Sequence, residues 1–217
     1  MLGDLAGDPD PLCALVEAEA SRSAYTLERA RASVGRGTAS IRAGAFATAE
    51  TEVLLHLEGA RIEAAALGPA EGILAAALAA HALAHARGVA AIPAQCVLGE
   101  ARMVAGDLGG LDDLEMAMRE AADTGDQGLT LSIGNRLAFG LLKAGRSADG
   151  RALTARLARQ ARDSGLGIWE GQMQYWQAEQ TARIGDDDPV EHAGKVTDSA
   201  RKVMVDDCDL CPLIEGQ

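Results

Sequence analysis

Apolar residues recur along this chain at the spacing of helices. Ile133, Leu137 and Leu141 lie four residues apart, which places three aliphatic side chains on one helical face. Segments rich in Ala, Leu, Arg and Glu surround such stripes, whereas β-branched residues are sparse. The pattern predicts an all-α protein.

Glycines divide the chain into segments of similar length. Eight of them follow one another at intervals of 18 to 24 residues, at Gly44, Gly68, Gly88, Gly106, Gly125, Gly145, Gly165 and Gly185. Glycine is favoured just past a helix end because it adopts the left-handed conformation without steric cost. We therefore predict helices of about 15–18 residues, each ended by a glycine and joined by links short enough to make neighbours antiparallel.

Residues at the expected helix starts agree with this division. Asp188 precedes Pro189, an order typical of an N-cap followed by the first helical residue. Ser147 is expected to cap the helix after Gly145, and Asp107 and Asp126 place acids at helix N-termini, where the helix dipole favours them.

A pair of helices repeats about every 40 residues. Gly106, Gly145 and Gly185 are 39 and 40 residues apart. Seven residues before a glycine stop stands a small residue that would let a neighbouring helix approach closely; the four copies are Gly37, Gly99, Ala138 and Ala178.

The first helix of a predicted pair ends in a small residue, six intervening positions and a glycine. This spacing resembles the tetratricopeptide-repeat (TPR) pattern. Its clearest copies run from Leu98-Gly99 to Gly106-Asp107 and from Leu137-Ala138 to Gly145-Arg146. The segments 100–107 and 138–146 look like the degenerate repeats of bacterial ATPase-linked LuxR-type activators and multidomain nucleotide cyclases. The resemblance covers 89–207 well and 26–68 loosely, most aromatic positions of the family are empty, and 45–105 keep no clean two-helix phase.

The resemblance implies a right-handed α-α superhelix whose first helices line a concave groove that binds a protein or peptide. In that register the groove residues are Glu100, Asn135, Phe139, Lys143, Tyr175, Glu179 and Arg183. The expected function is a non-enzymatic interaction scaffold, the sensory or interaction part of a bacterial regulator. Two alternatives stay open: a small-molecule receptor or enzyme with a cavity in the stack, and a structural spacer within a larger protein.

Composition bounds the size and class of the molecule. The 217 residues are 48% hydrophobic but only 3% aromatic, so aliphatic side chains and alanine must fill the core. We expect a flexible N-terminal tail over 1–10, a helical repeat domain over 11–207, and a tail or the start of another helix over 208–217.

The negative charge of the chain and the shortness of its apolar stretches argue against several kinds of partner and location. A net charge of −12 with only three lysines disfavours direct binding of nucleic acid or anionic membranes. The N-terminus lacks the basic and apolar regions of a signal peptide, and the apolar stretch 73–86 is too short to span a bilayer. We expect a cytoplasmic protein with reduced cysteines.

Possible metal ligands occur in two places, and both are weak. Cys208 and Cys211 have half of a zinc-site spacing, but a second such pair is missing. His81 and His85 share a helix face, yet Ala82 stands where a metalloprotease motif needs glutamate. Ordinary cysteines and partly buried histidines are the simpler interpretation, and no cofactor is expected.

Large side chains concentrate near the C-terminal end. Trp169, Met173 and Trp176 fall at helical spacing, with Tyr175 beside them. They are expected to fill the core between helix pairs; the alternative is an aromatic anchor for a peptide, centred on Trp169 and Trp176. The acids at 186–188 and 206–209 lack the arrangement of a calcium loop, and those at 186–188 are interpreted as helix caps.

Overall fold

A computed structural model describes the backbone of residues 10–184 and the side chains as far as Gln177. Within that range the only regular elements are nine α-helices. They are α1 (Pro11–Ser23), α2 (Leu27–Arg42), α3 (Ala49–Ala65), α4 (Ala70–Arg87), α5 (Ala91–Val104), α6 (Gly110–Thr124), α7 (Gln127–Lys143), α8 (Ser147–Asp163) and α9 (Gly167–Ile184). The predicted all-α class is confirmed.

Glycine ends most of these helices, as predicted. Six of the eight glycines have φ between +66° and +95°, the left-handed region that favours glycine: Gly44, Gly88, Gly106, Gly125, Gly145 and Gly165. Gly185 lies outside the described residues.

The prediction for Gly68 is wrong by one position. Leu67 itself adopts the left-handed conformation, with φ +53°, and the N–H of Gly68 donates to the carbonyl of Glu63. Tyr25 and Ala90 are also left-handed, at φ +56° and +51°. Regular helices form over 45–105 although the sequence shows no clean two-helix phase there.

Acidic side chains cap two helices. The Oδ1 of Asp126 accepts from the N–H of Leu129 at 2.9 Å, and Asp10 caps α1 before Pro11. Asp107 instead bonds within the link before α6, where it accepts from the N–H of Gly109. The expected cap at Ser147 is wrong: Ser147 is the first residue of α8, whose N-cap position has no side-chain hydrogen bond. Asp188 and Pro189 lie outside the described residues.

The chain forms two compact units, Met1–Ala117 and Met118–Gln217, with the boundary inside α6. In the first unit α1 pairs with α2 and α3 with α4, while α3 also packs against α1 and α5. The core between them is aliphatic and alanine-rich, with Val53, Leu57 and Ile73 almost fully buried. The domain boundaries expected at 10 and 207 stay a prediction.

Small residues stand where helices approach closely. A Cβ added at Gly99 of α5 would lie 2.8 Å from the carbonyl oxygen of Gly110, at the start of α6. Gly37 packs against Ala14 and Leu55, but it belongs to α2, the second helix of its pair. The segment from Gly37 to Gly44 is therefore one helix out of the register expected for it.

In the second unit, α8 packs against both α7 and α9, and α7 also contacts α9. The predicted stripe of Ile133, Leu137 and Leu141 is buried. Leu157 of α8 and Met173 of α9 are also fully buried. Among the described residues, no helix is both long and apolar enough to cross a membrane.

Candidate functional site

The candidate site is the face of the second unit formed by α7 and α9. Asn135, Phe139 and Lys143 follow one another at four-residue intervals on α7, so they lie on one side of that helix. Asn135 and Phe139 are half-buried, whereas Lys143 is exposed. Because α7 and α9 both pack against α8 and also touch each other, residues of both helices meet on this face.

Three aromatic rings form the centre of the face. The ring of Phe139 lies 4.4 Å from that of Trp176, at an interplanar angle of 89°. Tyr175 is 5.0 Å from Trp176, at 72°, and remains 45% exposed. Perpendicular pairs of this kind are favourable because the positive ring edge meets the negative ring face. The contacts fix the indole between a half-buried and an exposed neighbour.

Two buried polar atoms on these side chains have no hydrogen-bond partner. They are the Oδ1 of Asn135, an acceptor, and the Nε1 of Trp176, a donor. Removing such groups from water without a partner costs about 1–3 kcal/mol each. One acceptor and one donor are thus buried beneath the face, next to the aromatic cluster.

The predicted groove residues are partly brought together. Asn135, Phe139 and Tyr175 share the α7–α9 face, to which Trp176 contributes directly. Glu179 and Arg183 lie on α9, but their side chains are outside the described residues. Glu100 belongs to α5 of the first unit.

The other large side chains of α9 have different surroundings. Met173 is fully buried, as expected for a core residue. Trp169 is half-buried in the first turn of α9, and its indole nitrogen would lie 4.0 Å from a Cβ added at Gly128. Trp176 therefore fits the role of an anchor on the α7–α9 face better than Trp169 does.

A polar network that the sequence does not reveal links three helices of the first unit. The Nε2 of His81 on α4 is 2.8 Å from the Oε1 of Gln95 on α5. The Nε2 of Gln95 donates to the Oδ1 of Asp113 on α6 at 2.6 Å. Arg102 donates to the other oxygen of Asp113 at 2.6 Å. His85, one turn after His81, is exposed, and the two imidazole rings are 5.8 Å apart.

A second polar centre lies between α1 and α3. Glu58 is completely buried, and the Nε of Arg22 donates to its Oε1. The Nη1 of Arg61 stands 3.6 Å from the Oε2. Arg22 belongs to α1 and Glu58 to α3. We therefore interpret this ion pair as a structural contact that joins the two helices.

The other side chains that could bind a metal do not cluster within the described residues. Across residues 10–177, no group of three or more His, Cys, Asp or Glu side chains is placed to hold a metal ion. Cys13 is exposed and Cys96 is buried, and neither forms a disulfide. Cys208, Cys211 and the acids at 186–188 and 206–209 lie outside the described residues.

The sequence matches no protein-family model and no curated protein. Two solved structures are similar to the chain: a Podosopora anserina protein described as a putative kinesin light chain with nearly identical TPR-like repeats, and a point variant of that protein. Each is 14% identical to this chain with a TM-score of 0.59. The match to the variant covers 91% of this chain and 94% of the variant, and the match to the other structure covers 92% and 95%. The fold of this chain is therefore that of TPR-like helical repeats.

Proposed function

We propose that this chain is a non-enzymatic interaction scaffold that binds an extended peptide segment of a partner protein on the α7–α9 face. The observation that supports this most directly is the pair of unpartnered polar atoms, Asn135 Oδ1 and Trp176 Nε1, beside the aromatic cluster. The TPR-like fold supports it too, because helical repeats of this kind create extended binding surfaces.

An extended peptide offers the hydrogen-bond partners that Asn135 and Trp176 lack. Its backbone offers N–H donors and C=O acceptors at regular intervals. Because the two unpartnered atoms are buried, the side chains around them must move aside on binding, after which one N–H donates to Asn135 and one carbonyl accepts from Trp176. Tyr175, which is 45% exposed, then offers an aromatic surface to an apolar side chain of the peptide. Lys143, exposed one turn beyond Phe139, can pair with an acidic side chain.

Selection of peptides from a displayed random library, with the purified full chain as target, tests the proposal. Enriched peptides are synthesised and their affinity is measured by isothermal titration calorimetry. Trp176→Phe keeps an aromatic ring but removes the N–H, and Asn135→Ala removes the acceptor. Each change is expected to weaken binding by about 1–3 kcal/mol, or roughly 5- to 150-fold.

Arg159→Ala is the control, since Arg159 is an exposed residue of α8, which is not part of the α7–α9 face. It should leave the affinity unchanged. If the selected peptides bind equally well to all three variants, the α7–α9 face is not the binding site. If no peptide is enriched, the peptide-binding function itself is contradicted.

We extend the proposal to the setting of the scaffold: the interaction part of a bacterial cytoplasmic regulator, as the sequence resemblance implies. A small-molecule receptor would instead show a stabilising metabolite in a thermal-shift screen together with no peptide binding. A structural spacer would show neither.

A further inference from the structure

Independently of the peptide face, we propose that His81 and His85 form a two-histidine site for a divalent transition-metal ion of the zinc–copper–nickel class. Both residues lie on α4, four positions apart, with their ring centroids separated by 5.8 Å. Two imidazoles that share one metal at about 2 Å per bond have centroids at most roughly 6.5 Å apart. The observed separation lies within this limit, as the sharing of a single ion requires.

The hydrogen bonds from His81 through Gln95 to Asp113 determine which imidazole nitrogen of His81 is available to bind a metal. The Nε2 of Gln95 donates to Asp113, so the Oε1 of Gln95 faces His81 and can only accept. The Nε2 of His81 must then carry a proton. In the neutral ring the lone pair is on Nδ1, and that nitrogen is the one left to bind a metal.

This arrangement is the support that metal-binding histidines usually have. A ligating imidazole donates its second N–H to a carboxylate or carbonyl, which fixes its orientation and increases its basicity. Gln95 performs that role for His81, and Asp113 and Arg102 fix Gln95 in turn. Two protein ligands leave the other coordination positions open for water or for donor groups of another molecule.

Imidazole favours copper, nickel and zinc among divalent ions, and copper(II) binds most tightly. A suitable probe is therefore the copper(II) complex of nitrilotriacetate, in which the chelator leaves positions for only two further ligands. It is titrated into the full chain, and electron paramagnetic resonance reports how many imidazole nitrogens bind. We expect one equivalent with two nitrogens.

His85→Gln removes one ligand from an exposed position and is not expected to disturb the fold. It should weaken binding about tenfold or more, and Gln95→Met should weaken it by a similar factor through loss of the supporting hydrogen bond. His56→Gln, on α3, is the control that should bind like the unaltered chain.

Three results would overturn the proposal. The first is equal binding by the unaltered chain and a His81→Gln/His85→Gln double variant. The second is a spectrum with a single imidazole nitrogen. The third is tighter binding by Gln95→Met, which would mean that the Nε2 of His81 competes for the metal and that Gln95 opposes the site.

Discussion

The rings of Phe139 and Trp176 stand almost perpendicular, at 89°, with centroids 4.4 Å apart. Phe139 comes from α7 and Trp176 from α9, so this contact joins two helices that both pack against α8. It also holds the unpartnered indole N–H of Trp176 in one position. The same pair of residues thus contributes to the fold and shapes the proposed binding face.

A double-mutant cycle measures how much the contact between Phe139 and Trp176 contributes to the free energy of unfolding. Replacing Phe139 and Trp176 by leucine, singly and together, should reveal a coupling of about 0.5–1.5 kcal/mol in the free energy of unfolding. Urea unfolding followed by far-ultraviolet circular dichroism measures it. Phe139→Leu combined with Arg159→Ala should be additive, because Arg159 is exposed on α8 and lies near the end of that helix opposite to Phe139. Additive effects for the aromatic pair would show that the ring contact stabilises nothing beyond its buried area.

The buried carboxylate of Glu58 depends on its arginine partners. Arg22→Ala removes the group that donates to Glu58 Oε1 and leaves a fully buried charge short of a partner. Losses of this kind destabilise proteins by about 3–5 kcal/mol. We expect a decrease near the lower figure, about 3 kcal/mol, because Arg61 remains nearby. Equilibrium unfolding in urea is the measurement.

Arg29→Ala is the control for that experiment. Arg29 of α2 bonds Glu17 of α1 in the same unit, but the Arg29 side chain is 69% exposed and that of Glu17 is 34% exposed, whereas Glu58 is completely buried. The replacement of Arg29 should lower the urea midpoint far less than Arg22→Ala does, since partly exposed ion pairs contribute little. Equal effects of Arg22→Ala and Arg29→Ala would contradict the structural importance of the buried pair.

The sequence predicts helix ends well wherever glycine marks them. Gly88, Gly106 and Gly145 are in the left-handed region as expected. It fails at Tyr25 and Leu67, because a left-handed residue with a side chain carries no sequence signal of its own. There the helix ends in backbone hydrogen bonds, from the N–H of Thr26 to the carbonyl of Ser21 and from the N–H of Gly68 to the carbonyl of Glu63.

The sequence likewise predicts one part of the candidate site and misses the rest. The α7 stripe of Asn135 and Phe139 could be predicted because helical periodicity fixes which residues share a face. The contact of Phe139 with Trp176 could not, since it depends on how α9 packs beside α7. The network from His81 through Gln95 to Asp113 spans three helices and has no local pattern that would indicate it.

Stability should depend on pH through Glu17. Hydrogen bonds from Arg29 and Ser33, with the charge of Arg36 adding to them, hold the pKa of the Glu17 carboxyl below its ordinary value of 4.5. A depressed folded-state pKa stabilises the fold above the unfolded-state pKa, and the effect is lost as pH falls through the folded value. The difference in unfolding free energy between the unaltered chain and Glu17→Gln should be constant near neutral pH.

Below about pH 4.5 that difference should shrink, and it should vanish once the folded-state carboxyl is protonated. Urea unfolding at a series of pH values from neutral to acidic measures it. A difference that stays constant over the whole series would show that the arginines do not favour the ionised form of Glu17.

Leu67 and Tyr25 combine an unfavourable backbone conformation with exposed side chains. Their φ angles are +53° and +56°, and their side chains are 90% and 86% exposed. A left-handed residue other than glycine costs about 1 kcal/mol, and so little burial cannot offset it. Leu67→Gly and Tyr25→Gly should each stabilise the chain by about 1 kcal/mol, measured by urea unfolding.

Gly125→Ala is the reverse experiment. Gly125 has φ +77°, and a Cβ there would meet no other atom within 4 Å, so only the backbone conformation opposes the change. It should destabilise the chain by about 1 kcal/mol. If Gly125→Ala has this effect and Leu67→Gly does not stabilise, the exposed Leu67 side chain must contribute to folding in some other way. If the two changes are equal and opposite, the left-handed backbone alone accounts for both.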